Sequence, residues 1–196
     1  MAKDNIQENL IQTGRQIIEE KGVEFLTARK LSEASGYSVG TIYNQFTNMD
    51  NFILIQNYLT LDALYQRLNE VKADFAYDRL NAYISVFTEF VMNNQNFWFM
   101  VYKFHLNQSE RSFSITYLRR ISKTVMLINQ AFKDLYPDLN TVKRHASVQV
   151  LWITLFALSS LLTTSAVKSY SKIDQTKICS FLLNTYLTGI KFIEKM

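Results

Sequence analysis

The chain has 196 residues, 48% of them hydrophobic and 19% charged, with a formal net charge of +4, which is enough apolar material for a packed core and excludes a disordered tail. One Pro and 5 Gly leave few breakers for hairpins or barrels, so an all-α chain is expected. The single cysteine, Cys179, excludes an intrachain disulfide, and His105 and His145 lie too far apart to start a metal site; neither metal nor cofactor is expected.

The first residues, MAKDNIQENLIQ, lack the continuous apolar core of a signal peptide, which points to a cytoplasmic protein. Ile6, Leu10, Gly14, Ile17 and Ile18 share a helical stripe, and Lys21 followed by Gly22 supplies a stop, predicting a first helix of about four turns. Val23, Phe25 and Leu26 should return to its face. Thr27 stands at the N-cap of a short second helix from Ala28; Lys30 replaces the Glu of a full capping box. Ser35 and Gly36 end that helix, and Ser38 can cap a third running to Phe46. Its spacing turns Ile42 and Phe46 inward and leaves Val39, Gly40, Thr41, Tyr43 and Asn44 outside. A long helix is expected from Asp50 to about Lys72, then helices near 76–93, 95–107, 110–136, 140–168 and 172–195, about nine in all. The run 146–167 has no charge and could span a bilayer. Its Ser147, Gln149, Thr154, Ser159, Ser160 and Thr163 argue instead for a helix buried among others, with no membrane partner.

Two short helices around a Gly-containing turn make a helix-turn-helix, whose second helix enters the DNA major groove. Net charge lends this little support. Residues 1–50 carry five cations and seven anions, so the positive excess lies downstream. Local pattern is more telling, because no carboxylate lies between Ser35 and Met49. Thr27 and the second helix's N-terminus suit one phosphate, with Arg29 or Lys30 adding charge, and Tyr43 suits another. Ser38 caps the reading helix, and Gly40 allows close approach. Val39 and Thr41 offer methyls to thymine, and Asn44 offers an amide to adenine. Each has a purely structural alternative: Tyr43 a surface-packed aromatic, Thr27 only a cap, Arg29 and Lys30 a solvated face.

The spacing of Gly22, Thr27, Gly36, Gly40, Tyr43 and Phe46, and the run Gly36-Tyr37-Ser38-Val39-Gly40-Thr41-Ile42-Tyr43-Asn44-Gln45-Phe46, resemble the N-terminal domain of the TetR family of bacterial regulators over residues 6–55. That resemblance implies a three-helix DNA-binding domain, here 1–49, and a C-terminal helical domain, here 50–196, for ligand binding and dimerisation. It also implies a Lys three residues after the Phe, holding a phosphate; this chain has Met49 there.

Eight aromatics crowd residues 83–104. They suit ordinary core or a pocket for a small apolar or aromatic effector, with Phe87, Phe90, Trp98 and Phe99 as lining and Tyr102, His105 and Tyr117 as polar handles. One short helix-turn-helix reads too few bases, so a homodimer on pseudo-palindromic double-stranded DNA is expected. Trp152, Phe156, Ser159 and Leu162, with Phe181, Leu182, Thr185 and Tyr186, are the candidates for its interface; the same residues would also suit intramolecular core. The leading reading is a repressor released by an effector. The alternative is a DNA-bound structural or localisation protein of the same fold acting through a protein partner. No nucleophile with a base, phosphate loop or metal-ligand spacing is present, so an enzyme is not expected.

Overall fold

The computed structural model describes residues 2–106, 113–164 and 175–194, and among them the regular structure is entirely helical. Nine α-helices are described: α1 (Ala2–Lys21), α2 (Ala28–Ser35), α3 (Val39–Phe46), α4 (Met49–Asn69), α5 (Ala76–Asn93), α6 (Gln95–Leu106), α7 (Ile115–Leu135), α8 (Thr141–Leu162) and α9 (Gln175–Glu194). A 3-10 turn, Val23–Phe25, joins α1 to α2. The expected helix positions in 107–112, 165–174 and residue 195 lie outside the described residues.

Local chemistry sets most boundaries. Gly22 at φ 81° and Gly36 at φ 76° end α1 and α2 in conformations that a Cβ disfavours. Asn48, not Asp50, opens α4: its Oδ1 accepts from the Asn51 N–H at 2.8 Å, so the helix starts one residue earlier than expected. It also ends earlier, at Asn69. Ser114 caps α7 by accepting from the Tyr117 N–H, which places its start at Ile115.

The helices form two compact units, residues 1–61 with 94–112, and 62–93 with 113–196. The first therefore extends beyond residue 49 and includes α6. Its core joins Leu10, Ile17 and Ile18 of α1 to Val23, Leu26, Leu31, Ile42, Phe46, Phe52, Phe97 and Met100. Phe25 departs from expectation at 38% exposure; the Lys21 and Lys30 ammonium groups lie 4.6 and 5.4 Å from its ring centroid and shelter it. Arg15 is half-buried with its guanidinium 4.1 Å from the Phe97 centroid, and burial lowers its pKa. Gln56 holds that region together, donating to the Ile11 carbonyl at 3.0 Å.

In the second unit α5 packs against α7, α8 and α9, and α7 against α8. Polar ties cross the apolar contacts: Arg79 to Asp134 at 2.8 Å, the Tyr136 hydroxyl to the Leu187 carbonyl at 3.1 Å, and the Tyr186 hydroxyl to the Ser147 carbonyl at 2.7 Å. The helix that carries the uncharged run is only partly buried. α8 covers Val148, Leu151, Leu155 and Ser159 but exposes Val142, Val150, Ile153 and Leu161. No described helix is long and apolar enough to cross a membrane.

Candidate nucleic-acid interface

The turn between α2 and α3 is fastened from both sides. The Gly36 N–H bonds the Ser32 carbonyl at 3.0 Å, and the Ser32 hydroxyl donates to the Tyr37 carbonyl at 2.6 Å. Ser38 Oγ accepts from the Thr41 N–H at 3.1 Å and lies 2.9 Å from Thr41 Oγ1. Across the turn, Leu31 and Ile42 are fully buried, and Phe46 meets Phe52 edge-on with ring centroids 4.7 Å apart. These contacts fix the angle of α3 and decide which face it shows. Ser38, Val39, Gly40, Tyr43 and Asn44 are exposed, Tyr43 by 44%, while Thr41 is half-buried beside its cap.

At the start of α2, Thr27 Oγ1 accepts from the Lys30 N–H at 3.2 Å, and its residue is exposed. Arg29 and Lys30 do not stand as two open cations. Arg29 Nε and Lys30 Nζ both donate to Glu33, at 3.0 and 2.8 Å. Hydrogen bonds from Lys30 and then Arg29 hold the Glu33 carboxyl below its usual pKa, so the carboxylate persists within the basic patch. Sequence spacing places Glu33 one turn from both cations, and that signal was available.

One further feature escaped the sequence reading. Thr47 ends α3 at φ 69°, a region costly for a β-branched residue, with its N–H on the Tyr43 carbonyl at 2.8 Å. Met49, in the place where the resemblance implies Lys, is half-buried against the first unit's core.

Residues 10–54 match the family model described as bacterial regulatory proteins, tetR family. These residues form a tetR-family helix-turn-helix domain. Solved structures share the fold across the chain. Regulator PfmR of Thermus thermophilus, a TetR family transcriptional regulator, has 11% identity and a TM-score of 0.64, covering 91% of this chain and 97% of its own. FadR of Bacillus subtilis, a transcriptional regulator solved with stearoyl-CoA, has 18% identity and a TM-score of 0.69, covering 93% and 98%. FadR of Thermus thermophilus, a TetR family transcriptional repressor solved with lauroyl-CoA, has 14% identity and a TM-score of 0.69, covering 92% and 93%. No curated protein sequence matches the chain.

Beyond the tetR-family domain, the candidate effector residues divide. Phe87, Phe90 and Tyr117 are buried in the second unit, with Phe87 edge-on to Trp152 at 5.8 Å. Trp98, Phe99, Tyr102 and His105 belong to the first; Trp98 is fully buried and Phe99 is 40% exposed. Asn57 escaped notice in the sequence: it is fully buried in α4, and neither its oxygen nor its amide nitrogen has a partner. Each such orphan costs about 1–3 kcal/mol. The only sequence signal was an amide pair, Gln56-Asn57, inside the largely apolar stretch 52–61 of α4.

His105 Nδ1 lies 2.8 Å from the Val101 carbonyl, and burial lowers its pKa, outweighing that bond. The folded chain therefore favours the neutral ring. As pH falls through about 6.5, the unfolded chain takes up a proton that the folded chain resists, and stability declines. Between about pH 7 and pH 5, His105→Gln is expected to lose less stability than the parent in urea titrations. Parallel losses in the two proteins would show that His105 carries none of the acid sensitivity.

The candidate pairing residues also divide. Phe181 is 74% exposed and Thr185 is exposed, on the same stripe of α9 as the exposed Phe192. Ser159 is buried, Tyr186 is tied to Ser147, and Trp152, Phe156 and Leu182 are half-buried. The side chain of Leu162 lies outside the described residues.

Proposed function

We propose that the protein is a dimeric transcriptional repressor that binds a pseudo-palindromic operator and releases it on taking up an apolar effector. The observation that carries the DNA reading is the face of α3: uncharged, exposed at Val39, Gly40, Tyr43 and Asn44, and held by the Ser38 cap and by buried Ile42 and Phe46 on the opposite side. Such a face can lie against base edges at no cost of charge desolvation, while Thr27 and Tyr43 bond phosphates on either side. Selecting bound sequences from random duplexes tests it. The expected product is a two-fold symmetric site with half-sites about 34 Å apart, and recovery of no shared sequence overturns it.

Pairing is supported by apolar surface without cover. Val150, Ile153 and Leu161 of α8 and Phe181 and Phe192 of α9 are large, exposed and arranged as stripes on two packed helices, a pattern expected of an interface. The effector reading is supported within the first unit by Trp98, Phe99 and Tyr102 and by orphaned Asn57, which a ligand with a polar end could satisfy. Two structural neighbours hold acyl-CoA molecules, which makes a long-chain acyl thioester the class to test first. Lauroyl-CoA and stearoyl-CoA titrated into the operator complex are expected to release DNA; unchanged DNA affinity with both removes that class.

The Glu33 arrangement yields a prediction of its own. Glu33→Gln removes a carboxylate that competes with phosphate for Arg29 and Lys30. Operator affinity is expected to rise by about three- to tenfold at low salt, with the salt dependence steeper by about one charge. A fluorescence anisotropy titration at several salt concentrations measures both, and an unchanged slope would show that the pair does not reach DNA.

A further inference from the structure

We propose that the cleft between α4 and α7 in the second unit is an anion site for a small molecule bearing a phosphate or diphosphate group. The cleft has a volume of about 450 Å3 and is lined by Asp62, Tyr65 and Gln66 of α4 and by Thr116, Arg119, Arg120 and Lys123 of α7. Three cations face one carboxylate. The spacings 62, 65, 66 and 116, 119, 120, 123 put each set on one face of its helix, so the charge converges from both helices. The first turns of α7, residues 115–124, carry these three cations and no acid, which locates part of the positive excess that the DNA-binding domain leaves unexplained.

Two of the three cations are held in place. Arg120 Nε donates to Asp62 Oδ2 at 3.0 Å and Nη1 to the Thr116 carbonyl at 3.4 Å, which orients its guanidinium and offsets one charge. Lys123 Nζ sits 5.5 Å from the Tyr65 ring centroid, a shelf that positions the ammonium while leaving its N–H donors for an oxyanion. Arg119 makes no ion pair among the described residues and is exposed, so its planar fork is available for two oxygens of one phosphate. A neutral or apolar ligand would leave the charges of Arg119 and Lys123 uncompensated, since Asp62 offsets only Arg120, whereas a phosphate matches the surplus charge and the fork geometry.

The site takes a phosphate rather than an acyl chain, and because its probes carry no acyl chain its test is separable from that of the apolar effector. Inorganic pyrophosphate and adenosine diphosphate are titrated calorimetrically into the whole protein and into an Arg119→Gln, Lys123→Gln double variant, at constant ionic strength set with chloride. The expected result is one saturable site per chain whose affinity falls at least about tenfold in the double variant, with an unchanged thermal midpoint and unchanged operator binding in the absence of ligand. Tighter binding of adenosine diphosphate than of pyrophosphate identifies a nucleotide as the source, and equal binding identifies a bare diphosphate; both support the site. Absence of a saturable site, or equal affinity in parent and variant, overturns it while leaving the repressor reading intact. Loss of operator binding by the parent protein would count against the repressor reading alone.

Discussion

Asn44→Asp is expected to lower operator affinity by about a hundredfold, equivalent to about 3 kcal/mol. Asn44 is exposed near the end of α3, and the stretch from Ala34 to Met49 holds no Asp, Glu, Lys, Arg or His, so the presented face is electrically neutral. Aspartate is nearly the same size but lacks the amide donor, which removes a two-point contact with adenine worth about 1–3 kcal/mol. It also places a full negative charge between two phosphate backbones. The fold should tolerate the change: Asn and Asp have similar helix propensities, and a carboxylate near the helix C-terminus costs only a few tenths of a kcal/mol at an exposed site, by about the usual macrodipole effect. Asn44→Ala separates the two contributions, since it removes the amide without adding charge and should cost about tenfold. Anisotropy measurements on parent and both variants would decide it. Affinities within twofold of one another, about the scatter of such titrations, would place Asn44 off the DNA and remove the assigned reading face.

The second large effect is on stability, and it begins at Gly14 on α1. A Cβ at Gly14 would stand 2.5 Å from Phe52 Cζ, 2.6 Å from its Cε1 and 3.2 Å from Gln56 Nε2. Replacing Gly by Ala within a helix ordinarily gains about 1 kcal/mol. Here the clash wins, because Phe52 is fully buried and braced edge-on by Phe46, the last residue of α3, so its ring has nowhere to retreat. Overpacking of this kind costs about 1–3 kcal/mol, and the distances put this site at the upper end. Gly14→Ala is therefore expected to lose about 1–2 kcal/mol net in urea unfolding, and to weaken DNA binding by displacing Phe46. A Phe52→Leu change in the same chain should restore part of the loss, since the shorter side chain vacates the contested space. Additive losses in the double variant would show that the two residues do not compete for one volume.

Much of the DNA-binding domain is legible without coordinates because its instructions are local. Gly22 and Gly36 as stops, Thr27 and Ser38 as caps, and Ile42 with Phe46 four residues apart each act within one or two turns of helix, and all stand in the structure as their neighbours in sequence require. The tetR-family pattern is a pattern of the same local kind. Even there, the reach of a side chain matters: Arg29 and Lys30 read as phosphate donors until Glu33 is seen holding both, and Phe25 reads as core until two lysines are seen over it.

The sequence by itself determined that the chain is helical, where the helix-turn-helix lies and which face of α3 is polar, since helical period and capping depend on residues at most a few positions apart. Only the tertiary structure decided that the aromatics of 83–104 are shared between two units, that Tyr186 and Ser159 are turned inward while Ile153 and Phe181 are not, that Asn57 is sealed without partners, and that Asp62 and Arg120 meet across a cleft. An apolar stripe records that one face of a helix must be covered. It carries no record of what covers it, because that contact is made with residues dozens of positions away, and the packing of whole helices selects the partner.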